Sequence, residues 1–121
     1  MSIRRIDHVQ LAMPRGQEAA ARRFYGEVLG LKEIPKPPAL VGRGGVWFEL
    51  GDTQLHLGVD PDFRPAKKAH IGFEVSDLDG IDRRCRAAGH ETRADHNLPD
   101  RRRFFVDDAF GNRLELIEAK D

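Results

Sequence analysis

Apolar and polar residues alternate with a period of two in five short stretches of this chain, and each is bounded by glycine, proline or acidic turn residues. The first, Ile3 to Met13, reads as a strand. From Ile6 onward it sets Ile6, His8, Gln10 and Ala12 on one face and Asp7, Val9, Leu11 and Met13 on the other. Pro14-Arg15-Gly16 ends it, and Gln17 to Leu29 reads as a helix with Ala20, Phe24 and Val28 or Leu29 spaced to pack on a sheet, closed by Gly30. The Pro- and Gly-rich interval from Glu33 to Gly45 reads as a linking or covering loop. Val46 to Leu50 and Thr53 to Val59 form a hairpin about Gly51-Asp52, with Trp47 and Glu49 on one side of the first strand. In the second strand Gln54, His56 and Gly58 lie opposite Leu55, Leu57 and Val59.

After the connector Asp60 to Pro65 the pattern starts again. Ala69 to Val75 is a strand with His70, Gly72 and Glu74 opposite Ile71, Phe73 and Val75. Asp77 leads a helix to about Ala88, with Ile81, Cys85 and Ala88 as its apolar face and Gly89 as its stop. Thr92 to Asp100 is turn-rich, Arg103 to Val106 is a strand, and the Asp107, Asp108, Gly111 and Asn112 turn feeds a last strand, Arg113 to Glu118. His8 precedes His70 by 62 residues, Leu29-Gly30 precedes Ala88-Gly89 by 59, and Leu55-His56-Leu57 precedes Leu114-Glu115-Leu116 by 59. Two copies of one strand-led unit follow, module 1 over about residues 4–59 and module 2 over about 69–118. Each is too short to bury much core alone, so the copies should pack together or pair with those of a second chain.

The 121 residues carry 20 Lys+Arg and 20 Asp+Glu, a formal net charge of zero. That balance gives no support to non-specific nucleic-acid binding, and the Arg101-Arg102-Arg103 run lacks any zinc-finger, recognition-helix or aromatic RNA-binding motif beside it. No apolar run approaches the roughly 20 residues of a membrane span and no secretory signal is evident, so a cytoplasmic protein without nucleic-acid or membrane partners is expected. One cysteine, Cys85, excludes an intrachain disulfide and reads as an ordinary thiol.

Polar residues on otherwise apolar strands carry the candidate chemistry, because burial of a charge demands a partner. The repeat makes His8 equivalent to His70 and His56 equivalent to Glu115. Imidazoles and a carboxylate suit a borderline divalent ion, and His8, His56, His70 and Glu115 form the expected metal site. The plainer alternatives are a hydrogen-bonded cavity or core role for His56 and an ion pair of Glu115 with Arg113 or Arg103. Glu49 is the spare carboxylate, whereas His90 and His96 lie in turn-rich segments and read as solvent-facing.

The stretches I-D-H-V-Q-L, F-Y-G-E-V-L-G-L, A-H-I-G-F-E-V and D-D-A-F-G-N-R-L-E-L-I-E resemble the vicinal oxygen chelate superfamily, also called the glyoxalase/bleomycin-resistance/dioxygenase superfamily. The resemblance covers about residues 4–118. It implies an α+β fold of paired βαβββ modules enclosing a cavity, commonly in a homodimer that joins His8 and His56 of one protomer to His70 and Glu115 of the other; a monomer could instead join its own halves. It also implies a divalent ion, Zn, Ni, Mn or Fe(II), and a small oxygen-rich substrate. A glyoxalase I-like (lactoylglutathione lyase) reaction would use Glu115 as base, although His56 stands where such enzymes usually carry Glu or Gln. Other branches resembling this chain use a His-His-Glu triad, here His8, His70 and Glu115, as in fosfomycin-modifying transferases and extradiol dioxygenases. Metal-free bleomycin-binding members imply a different class of function, sequestration, with Trp47, Phe105 and Phe110 as apolar contacts. In either case Gln10, Trp47, Glu49, Arg103 and Phe105 are the candidate substrate-binding residues.

Overall fold

A computed structural model describes residues 2–120 as two compact units, residues 1–64 and 65–121 as bounded along the chain. The fold is α+β. The first unit contains β1 (His8–Met13), a helix α1 that begins at Glu18–Ala21, and the strands β2 (Glu33–Ile34), β3 (Val46–Leu50) and β4 (Thr53–Val59). The second contains β5 (Ile71–Val75), α2 (Leu78–Ala87), β6 (Thr92–Asp95), β7 (Arg103–Asp107) and β8 (Arg113–Glu118). Each unit is a four-stranded sheet, ordered β1-β4-β3-β2 and β5-β8-β7-β6, with the first pair parallel and the rest antiparallel. The repeat read from the sequence is thus a repeat of topology.

Register makes the equivalence residue by residue. Gln10 pairs with His56, which pairs with Trp47; Gly72 pairs with Glu115, which pairs with Phe105. Alternation then places His56 and Glu115 on corresponding faces, opposite the core faces Leu55-Leu57 and Leu114-Leu116. In the first unit Met13, Val46, Phe48, Leu55 and Leu57 are buried along with Phe24, Tyr25 and Val28 from the α1 region. In the second, Phe73, Phe104, Val106, Leu114 and Leu116 are buried along with Leu78, Ile81 and Cys85 of α2 and its start.

The expected first helix is present but not regular. After Ala21 the turns widen over Arg22–Val28, with the Leu29 N–H bonded to the Phe24 carbonyl at 2.9 Å, five residues back. The extra residue per turn rotates the buried face, so Ala21 and Tyr25 join Phe24 and Val28 inside, while Ala20 and Leu29 are only half-buried. In α2 the Asp77 side chain accepts from the Gly80 N–H at 3.0 Å, as its position suggested, but Ala88 caps the end and is exposed.

Two segments read as loops contain structure. Glu33–Ile34 pairs with β3, and Thr92–Asp95 pairs with β7 along its whole length. Both lack apolar alternation; β6 is held by its ladder and by Arg93–Asp107 and Asp95–Arg103 ion pairs at 3.2 and 3.0 Å. The Asp107–Asn112 turn is an architectural knot. The Asp108 carboxylate accepts from the Phe110 and Asn112 N–H groups at 2.9 Å, and the Asn112 side-chain oxygen accepts from Ala66 N–H at 3.0 Å. These bonds explain why that motif reports the fold and says little of the reaction.

Candidate functional site

In the first unit three rings stack across neighbouring strands. The His56 ring lies parallel to the Trp47 indole, 3.7 Å between centroids, and 4.6 Å from the His8 ring at an interplanar angle of 20°. His8 opens β1 rather than sitting at its centre, and its Nδ1 lies 2.9 Å from Asp7 Oδ2. A carboxylate only accepts, so Nδ1 carries the proton and Nε2 presents the lone pair. His56 is arranged differently. Only 5% exposed, it lies between two rings and donates Nε2–H to Gln54 Oε1 at 2.8 Å. Burial, then repulsion from His8, holds its pKa below the ordinary imidazole value.

In the second unit His70 immediately precedes β5, and its Nε2 lies 3.0 Å from Glu115 Oε1. Its Nδ1 donates to the Lys68 carbonyl at 2.9 Å. Nε2 then faces the carboxylate oxygen at hydrogen-bond distance. An imidazole and a carboxylate this close are two of the ligand types that a divalent ion takes. The other carboxylate oxygen, Oε2, accepts from Arg103 Nη1 at 3.2 Å. Both partners of the pair are therefore oriented from behind, as metal-ligating side chains usually are.

The remaining expected contact residues divide by environment. Gln10 and Glu49 are exposed, and Trp47 is half-buried beneath its stacking contact with His56. Phe105 is buried, edge-on to His70 at 5.6 Å, with the Arg113 guanidinium 4.0 Å and that of Arg103 5.2 Å from its centroid. Phe110 is half-buried beside the Asp108 knot. Arg103 is held between Asp95 and Glu115, which makes it a positioning residue for the carboxylate. The rest of the arginine run is also committed, Arg101 to Glu74 and Arg102 to Asp79 and Glu118, so it forms no free basic patch.

Asp7, Gln54, Asp95 and the Lys68 carbonyl escaped the sequence reading. Asp7 is adjacent to His8, and Gln54 lies two positions from His56 on the same face, a signal that was available. The Lys68 contact is a backbone one and leaves no trace in residue identity. Among the described residues no group of three or more His, Cys, Asp or Glu side chains is placed to hold a metal ion, and no helix is long and apolar enough to cross a membrane.

A βαβββ unit used twice, with a polar sheet face in each copy, defines a chain of the two-module α+β class. The Glyoxalase/Bleomycin resistance protein/Dioxygenase superfamily model matches residues 5–116, and the chain belongs to that superfamily. A Bacillus anthracis protein assigned to the glyoxalase family is 48% identical, covering 99% of this chain and 98% of that one, with a TM-score of 0.94. Lactoylglutathione lyase from Agrobacterium tumefaciens shares the fold at 21% identity, with a TM-score of 0.75 over 98% of this chain and 96% of that one. The fosfomycin resistance protein FosX from Listeria monocytogenes does so at 16% identity, with a TM-score of 0.76 over 98% and 95%. No curated protein matches the sequence.

Proposed function

We propose that the chain is a divalent-metal-dependent enzyme acting on a small oxygen-rich molecule, with His70 and Glu115 as the central ligand pair and His8 as a third ligand. The observation that carries this reading is the 3.0 Å approach of His70 Nε2 to Glu115 Oε1, with Lys68 and Arg103 orienting the two groups. His8 joins the set because it is the repeat counterpart of His70 and its Nδ1–H is likewise committed, to Asp7. His56 is left out of it. It is buried with both ring faces covered and its Nε2–H bonded to Gln54, and in this reading it serves as a shelf for His8 and Trp47.

A bound divalent ion would polarise neighbouring oxygens of a substrate and favour its deprotonated form. Glu115 is the proton carrier in this scheme: Oε1 faces His70 Nε2, the group with which it would exchange a proton, while Arg103 retains Oε2. Phe105, the ladder partner of Glu115, lies edge-on against the His70 ring. The lactoylglutathione-lyase-like form of the proposal is tested by conversion of the glutathione–methylglyoxal hemithioacetal by metal-loaded protein. Turnover abolished in Glu115→Gln supports it; no turnover in metal-loaded wild type removes that substrate. A homodimer belongs to the same reading, and a mass that stays monomeric across dilution would remove it.

The His8–His56–Trp47 stack favours a second reading, metal-free sequestration of a flat molecule. Tight ligand binding by protein stripped of metal, without turnover, separates it from the first.

A further inference from the structure

The interval between β2 and β3 is a structured strap. It contains a 3-10 turn at Pro38–Arg43, and its end is pinned twice: Lys36 Nζ donates to the Gly44 carbonyl, and Gly45 N–H donates to Glu18 Oε2 at 2.8 Å. Between the strap and the polar sheet face lies a cavity of about 260 Å³, whose lining includes Gln10, Lys36, Leu40, Arg43, Trp47 and Gly58. The lining contains two cations and no carboxylate. Glu18, in the adjoining recess with Arg15 and Arg43, has one oxygen engaged by Gly45.

The cavity is built rather than incidental. Gln10 lies across Gly58, its carboxamide filling the space a Cβ would take, with Nε2 2.6 Å from that position. The Lys36 ammonium has three donors, of which Gly44 uses one; Glu18 feels its charge, but the Glu18 Oε2 is held by the Gly45 N–H. Arg43 adds a planar donor fork suited to a carboxylate. Leu40 and the Trp47 indole supply apolar surface beside these charges.

We propose that this cavity is the anchoring subsite for a small carboxylate with a flat, unsaturated body: Lys36 and Arg43 take the carboxylate, and Trp47 and Leu40 take the body. The inference deepens the functional reading above by naming a substrate class, and it rests on that reading only in taking the polar sheet face as the ligand-binding face.

Trp47 is the single tryptophan, so its indole N–H gives one cross-peak in a nitrogen–proton correlation spectrum. The probes are trans-cinnamate and its neutral isostere trans-cinnamamide, titrated into metal-stripped wild type, Arg43→Met, Arg43→Lys and Lys36→Met. Cinnamate should shift the Trp47 peak saturably in the millimolar range or below. Cinnamamide and each Met variant should bind at least about tenfold more weakly, the loss of one charge-assisted hydrogen bond, and Arg43→Lys should recover part of that loss. Equal shifts from acid and amide, wild-type affinity in both Met variants, or no saturable shift up to about 10 mM would overturn the subsite. Because the protein is metal-free, cinnamate binding upholds the subsite even if metal dependence fails. Metal binding without cinnamate binding sinks the subsite alone.

Discussion

Gly45→Ala should be among the most damaging single-methyl additions in the first unit. Gly45 sits at φ +89°, where an L-side chain is strained, and a Cβ there would stand 2.2 Å from the Leu57 carbonyl oxygen and 3.3 Å from its carbon. Those are backbone atoms of β4, locked in the ladder with β1 and β3, so the neighbour cannot simply turn away. The φ strain costs about 1–2 kcal/mol. Displacing the ladder adds about 1–3 kcal/mol by analogy with overpacked cores. The total is about 2–5 kcal/mol, before any loss of the Glu18 bond to Gly45 N–H. Gly51→Ala is the matched control, since its φ is +58° and nothing lies within 4 Å of the added methyl; about 1 kcal/mol is expected there. Urea unfolding followed by far-ultraviolet circular dichroism, with Trp47 fluorescence as a reporter from β3, measures both variants. A Gly45→Ala protein within about 1 kcal/mol of wild type, or no worse than Gly51→Ala, would refute the close-approach argument.

Three further outcomes follow from burial and charge. The Cys85 thiol is fully buried and desolvation pushes its pKa up to about 11, so a thiol reagent at neutral pH should modify it only on unfolding; fast modification of native protein would contradict the packing of α2. His56 has a depressed pKa when folded, so the unfolded chain binds the extra proton: its contribution to stability is present above about pH 6.5 and is lost as pH falls through the lower folded value. His56→Gln should therefore flatten the stability profile between about pH 7 and 5, by at most about 1.4 kcal/mol per pH unit, and an unchanged slope would refute it. Arg103→Met should weaken divalent-metal affinity by about 10–100-fold in calorimetric titration, whereas Arg102→Met, whose partners Asp79 and Glu118 lie elsewhere, should leave it unchanged.

The sequence carried the architecture because two independent periodicities coincide in it. Alternation marks the strand faces, and the recurrence of His8 at His70 and of Leu55-His56-Leu57 at Leu114-Glu115-Leu116 marks the second copy; the strand register pairs those positions as the recurrence required. What escaped was held by forces that leave little pattern. β6, Thr-Arg-Ala-Asp, has no buried face to alternate, and it is a strand because β7 offers a ladder and opposite charges. Tyr25 is buried because a widened turn rotates the helix, which a regular 3.6-residue period does not anticipate.

The candidate site was legible in part for a related reason. Residue type and face placed His70 with Glu115, and their 3.0 Å approach lies within one unit. Residue type could not separate His56 from His8. Each has one ring nitrogen hydrogen-bonded, to Asp7 or to Gln54, and what differs is burial: His8 is exposed, whereas His56 is covered by Trp47 and His8. The arginine run shows the limit from another side: three adjacent cations look alike in sequence, but each reaches a different acid across the sheet or on α2.

The metal stoichiometry of tag-free protein decides whether His70 and Glu115 hold an ion. Wild type, His70→Ala/Glu115→Ala and His56→Ala, each confirmed as folded, would be equilibrated with Zn, Ni, Mn or Fe(II), freed of excess and measured for bound ion. About one ion per chain is expected in wild type, with retention in His56→Ala and loss in the double variant. No binding of any of the four ions, or binding that survives removal of both His70 and Glu115, would contradict it.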